Sequence, residues 1–253
     1  MEALAQVAAA MDAPFGAAAA VFLRVSGLML LLPAIGERMV PARVRLVAAA
    51  ALTAVLAPLL PAAQVPPAIT PALALGEVAV GAALGAALRF LAQALLVAGT
   101  IAAQAASLSQ LFGAPSAEPS SAIGVLLHVA GLALLMASGL HLAVVEMLLR
   151  SWDVFPVGFA LPGGALAEWG VARVGDAFAL AVGLALPFVI VSTLYNLTLG
   201  VINKAMPQLM VALVGAPAIT GLALATLAAT AATILTVWRE RVMGTLADPL
   251  LLP

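Results

Sequence analysis

Six apolar runs, separated by breaks that proline, glycine and polar residues mark, organise this chain. They extend approximately from Pro14 to Leu32, Val44 to Leu60, Leu73 to Leu108, Ile123 to Leu149, Val174 to Leu199, and Leu209 to Trp238. A helix crossing a hydrocarbon core of about 30 Å at about 1.5 Å per residue needs roughly 20 apolar residues. The pattern therefore predicts an all-α, membrane-type protein with about six long apolar helical segments, some of them broken. The breaks are PAIGERMVPAR, PAAQVPPAITP, SLSQLFGAPSAEPSS, RSWDVFPVGFALPGGALAEWGVAR and GVINKAMP. Their prolines and glycines interrupt helix by removing a backbone donor or by favouring turn conformations.

Two runs fit a plain bundle poorly. The third is too long for one perpendicular span and is divided by Arg89, and the second is short and opens on Arg43 and Arg45. Counting basic residues at helix ends does not orient the chain either. If six helices alternate, Arg38, Arg43, Arg45 and Lys204 fall on one side, while Arg150, Arg173, Arg239 and Arg241 fall on the other. A simple six-span topology is suspect on both grounds. Within the third run, Gly81 and Gly85 form a small-xxx-small pair that lets two helix backbones approach, and a packing role is the reading adopted for it.

Composition agrees with the pattern. Hydrophobic residues make up 65% of the 253 positions and charged residues 8%, against about half and a quarter in a soluble domain. Ten Lys plus Arg oppose eleven Asp plus Glu, which leaves no basic field for nucleic acid. Cysteine is absent, so disulfides and thiolate chemistry are excluded. The N-terminal stretch holds Glu2 and Asp12 without a Lys or Arg, unlike a cleavable secretory signal, and the first apolar segment is expected to be retained.

Ionisable residues inside apolar helices are costly, so each is a candidate for function. Here they are Arg24, Glu77, Arg89, His128, His141, Glu146 and Asp176. Glu146 with Arg150 and Arg173 with Asp176 stand at spacings of four and three, which favour local pairs on a helix. His128 and His141 are too far apart to chelate one metal from a single helical turn, and neither metal nor cofactor is expected. The nucleophile elbow, the paired-histidine zinc motif, the phosphate loop and the dinucleotide fingerprint are all missing, so an enzyme is not expected. Asn196-Leu197-Thr198 matches a glycosylation acceptor but lies within an apolar run, and no role is assigned to it. SLSQLFGAPSAEPSS reads either as an external loop or as a mobile constriction, since irregular backbone at membrane depth must be buried in protein or line a cavity.

FLRVSGLMLLLPAIGERMVPARVRLVAAAALTAVLAPLLP (Phe22 to Pro61), Gly76-Glu77 with Gly81, SWDVFPVG (Ser151 to Gly158) and YNLTLGVINKAMPQLMVALVGAP (Tyr195 to Pro217) together resemble the FliR family of type III export-gate proteins. The resemblance covers nearly the whole chain and sits closer to the flagellar branch than to the injectisome one. It implies a non-enzymatic pore and gating subunit in the bacterial inner membrane, at the flagellar basal body. The implied partners are FliP and FliQ in the gate, FlhB and FlhA beside it, and unfolded flagellar subunits in transit. It also implies a FliP-like helical portion over about 1–170 and a FliQ-like hairpin and tail over 171–253.

By the same resemblance, the loop at about Ser107 to Ser121 supplies a plug, with Leu111, Phe112, Gly113 and Pro115 at its core. Arg43, Arg45, Glu77, Asn203, Lys204 and Pro207 are motif residues expected to stabilise helices and the breaks between them. Lys204 and Met210 depart from the arginine and asparagine common in the family, and the loop lacks the family's usual Phe-Asp-Pro. The competing class is a small secondary transporter, with buried charges and broken helices around a midplane site.

Overall fold

The computed structural model describes residues 2–37, 39–60, 64, 68–107, 121–159, 162–206 and 211–248. Among them lie seven α-helices: α1 Glu2–Leu31, α2 Ala42–Leu56, α3 Pro71–Ser107, α4 Ala122–Ala137, α5 Leu140–Val154, α6 Gly163–Ala205 and α7 Val211–Ala247. A 3-10 turn, Ala57–Leu59, follows α2. The fourth apolar run becomes two helices because Gly139 takes the left-handed conformation, at φ 85°, which ends α4 and starts α5. Arg89 does not divide α3, which is continuous over 37 residues.

Helix starts carry side-chain caps where the sequence supplies hydroxyls. Thr70 Oγ1 accepts the Leu73 amide at the start of α3, and Ser121 Oγ accepts the Gly124 amide at the start of α4. Helices α6 and α7 exceed the apolar runs that announce them. The stretch GGALAEWGVAR joins α6 although its glycines mark it as a break, and α7 continues past Trp238 to Ala247. Helix α6, with 43 residues, has a path of about 64 Å, twice the roughly 30 Å of a bilayer core. By length and composition four described helices can cross a membrane, or five if α4 and α5 count as one broken span.

The chain folds into two compact units, and α3, α6 and α7 each contribute to both. The first comprises Met1–Phe90, Ser138–Arg173 and Val242–Pro253. In it α1 and the first half of α3 pack backbone to backbone. A Cβ on Gly81 would lie 1.9 Å from the Arg24 carbonyl oxygen, and one on Gly27 would lie 2.4 Å from that of Val78. Around this contact Val21, Val25, Leu28, Leu88, Met147 and Leu148 are buried. Burial of a large aliphatic side chain contributes about 1.5–3 kcal/mol.

The second unit comprises Leu91–Ala137 and Val174–Arg241. Its α3 and α4 segments meet at Gly99 and Gly124, where a Cβ on Gly99 would lie 2.1 Å from the Gly124 Cα. Fully buried Trp238 donates from Nε1 to the Leu91 carbonyl at 2.6 Å, and its ring lies against Gly131. Neutral hydrogen bonds link its helices. Ser192 donates to the Ala105 carbonyl, Ser121 to the Gly99 carbonyl and Tyr195 to the Gly215 carbonyl.

Candidate functional site

The first unit encloses a charged node. Arg24 on α1 and Glu77 on α3 are 0% and 1% exposed, and Arg24 Nε donates to Glu77 Oε2 at 2.8 Å. Burying two charges is unfavourable unless their remaining donors and acceptors are also matched. Arg24 Nη1 donates to Ser151 Oγ at 3.0 Å, and Nη2 donates to the Phe155 carbonyl at 2.7 Å. The guanidinium lies 4.9 Å from the centre of the Trp152 ring, within cation–π range. Glu77 Oε1 accepts the Gly158 amide at 2.9 Å, and the Ser151 hydroxyl donates in turn to the Leu148 carbonyl at 2.7 Å. The planar fork of arginine suits this divergent set of acceptors, which lysine cannot reproduce.

Local sequence puts each group in place. Gly81 brings α3 close enough to α1 for Glu77, one turn earlier, to meet Arg24. Helix α5 ends at Val154, leaving the Phe155 carbonyl available to accept from Arg24. Gly158 has φ 81°, a left-handed backbone that aims its amide at Glu77 and that side-chain-bearing residues rarely adopt. The node therefore ties α1, α3, α5 and the turn after α5 into one arrangement. Nearby, Arg89 on α3 donates to Glu37, in the segment after α1, at 2.8 Å.

The other motif residues do not gather there. Arg43 is exposed at the start of α2 and Arg45 is half-buried. Asn203 and Lys204 are exposed in the last turn of α6, where a cation complements the helix dipole. Pro207, Met210 and the expected plug residues Leu111, Phe112, Gly113 and Pro115 lie outside the described residues. Glu146 and Arg150 form the expected pair on α5, and Arg150 also donates to the Ala247 carbonyl at the end of α7. His128 is buried with Nδ1 3.1 Å from the Ala92 carbonyl, whereas His141 is exposed. No group of three or more His, Asp or Glu able to hold a metal occurs among the described residues.

Sequence reading flagged Arg24 and Glu77 separately and missed that they meet. It also missed Ser151, Trp152, Phe155 and Gly158 as their partners. A signal was present: the node draws on FLRVSG, on Gly76-Glu77 with Gly81, and on SWDVFPVG, three of the stretches that carry the family resemblance.

Comparison with known proteins agrees with that convergence. The chain matches the family described as "Bacterial export proteins, family 1" over residues 15–245. It is 34% identical over 230 residues to the flagellar biosynthetic protein FliR of Caulobacter vibrioides, covering 88% of this chain and 92% of that protein. It is 31% identical over 203 residues to the flagellar biosynthetic protein FliR of Escherichia coli strain K12, covering 77% of this chain and 76% of that protein. With the match spanning both compact units and every element of the charged node, the chain belongs to the bacterial export proteins, family 1.

Proposed function

We propose that the chain is a structural pore and gating subunit of the flagellar type III protein export apparatus, passing unfolded flagellar subunits across the bacterial inner membrane. The observation that carries this reading is the family match over residues 15–245, supported by two relatives named as flagellar biosynthetic proteins. The charged node gives the reading a physical basis. It fixes α1, α3 and α5 without exposing a reactive group, as a scaffold that must hold a pore wall requires.

In this proposal FliP and FliQ complete the gate, FlhB and FlhA associate with it at the flagellar basal body, and other components supply the energy. Residues 1–170 act as a FliP-like portion and 171–253 as a FliQ-like hairpin, a division by relatedness rather than by compactness. The loop Ser107 to Ser121 closes the pore, with Leu111, Phe112, Gly113 and Pro115 as the obstruction, because glycine and proline give a short apolar segment a non-helical path.

Affinity isolation of the tagged chain from native membranes tests the assembly, and FliP and FliQ homologues are the expected companions. Substrate-specific, ion-coupled uptake by the chain reconstituted alone overturns the proposal in favour of a transporter. Deleting Phe112 to Ser116 should leave assembly intact and make the membrane leak small solutes, and unchanged leakage removes the plug assignment.

A further inference from the structure

In the first unit a cavity of about 270 Å³ opens between α3, the turn after α5 and the start of α6. Val80 and Leu84 form its buried floor, and Phe155, Phe159, Leu166 and Trp169 contribute walls. All nine lining residues are apolar or aromatic, and Trp169 brings their one side-chain polar atom. Its Nε1 is buried and has no hydrogen-bond partner among the described residues. The node described above positions part of this wall, because Arg24 holds the Phe155 carbonyl and Glu77 holds the Gly158 amide.

Volume and chemistry together narrow the occupant. At about 30 Å³ per water-sized group, the cavity holds roughly nine such groups. Water fills it badly, since a buried water needs two to four polar partners and the lining side chains offer one. An inserted peptide also fits badly. Each backbone carbonyl arrives with an N–H nearby, and no lining side chain accepts a hydrogen bond. An ester-linked acyl chain matches both features, because it brings a carbonyl acceptor and an aliphatic body but no donor. Tryptophan suits such a ligand, since it pairs an apolar ring with a single N–H donor.

We propose that this cavity binds one phospholipid, its acyl chain against Val80, Leu84 and Leu166 and its ester carbonyl accepting from Trp169 Nε1. The site requires only that the chain meet lipid, so its failure would leave the export proposal untouched.

The test uses the full-length chain in detergent, titrated with phospholipid brominated on the acyl chain while tryptophan fluorescence is read. Trp152 and Trp238 are buried in packed core, so Trp169 is the reporter. Quenching should saturate near one lipid per chain and disappear in Trp169→Phe. Ala83→Phe and Ala165→Leu, which fill the cavity from two sides, should each weaken binding about tenfold or more, with helix content by circular dichroism confirming the fold. An ether-linked analogue should bind about tenfold more weakly, the worth of roughly one hydrogen bond. Unsaturable quenching, or quenching that neither filling variant changes, overturns the site. So does a photo-crosslinker at position 165 of the native complex that captures a protein segment and no lipid.

Discussion

Glycine serves opposite ends in two regions of this chain. On α1 and α3, Gly27, Gly81 and Gly85 are pressed against the facing backbone, where any Cβ would collide. On α6 and α7, Gly183, Gly200 and Gly221 meet nothing within 4 Å. A glycine inside a helix costs about 0.8–1 kcal/mol relative to alanine wherever it stands. In the first region close packing and a buried ion pair offset that cost. In the second nothing among the described residues does, and α6 exposes Phe178, Val182, Leu186, Ile190 and Leu194 at steps of four residues. An apolar row of that extent, standing outside water, belongs against lipid or another subunit. The polar signature thus organises a node where helices complete one another's packing, and α6 leaves an apolar face that needs company.

Four substitutions bear on this contrast, in descending size of effect. Glu77→Ala leaves the Arg24 guanidinium buried without its counter-charge and should cost about 3–5 kcal/mol, read as a lower denaturant midpoint in detergent; a loss under about 1 kcal/mol would show that the node is not structural. Gly81→Ala forces α1 and α3 apart and should cost about 1–3 kcal/mol, with a matching fall in melting temperature. Gly183→Ala meets open space and should stabilise the isolated chain by about 1 kcal/mol; if it also weakens recovery of partner subunits, a neighbouring helix packs at that position. Glu146→Ala removes an exposed pair on α5, 64% and 56% exposed, and should change stability by about 0.5 kcal/mol or less. Equal effects of the alanine substitutions at Gly81 and Gly183 would dissolve the contrast.

Much of the fold was legible because long apolar runs have few alternatives to helix, and the Gly81 and Gly85 pair and the Glu146–Arg150 spacing each forecast a contact that forms. Gly139 escaped notice because an isolated glycine in an apolar run reads as tolerated helix, and only its backbone angle shows the break. The start of α6 escaped because Pro162, Gly163, Gly164 and Gly170 read as a helix break, although proline is tolerated just before a helix and glycine within one. The node was the larger gap. Arg24 and Glu77 are separated by 53 positions, and periodicity assigns residues to faces without naming the partner across the fold. Ala34 was likewise invisible: it holds φ 69°, a left-handed angle that costs a non-glycine residue about 1–2 kcal/mol, directly after α1.

The most direct test of the export role is secretion in the source bacterium. With the gene deleted, the filament protein should vanish from the culture medium; the wild-type chain should restore it, while Glu77→Ala should restore little or none. Undiminished secretion by the deletion strain would contradict the export role outright.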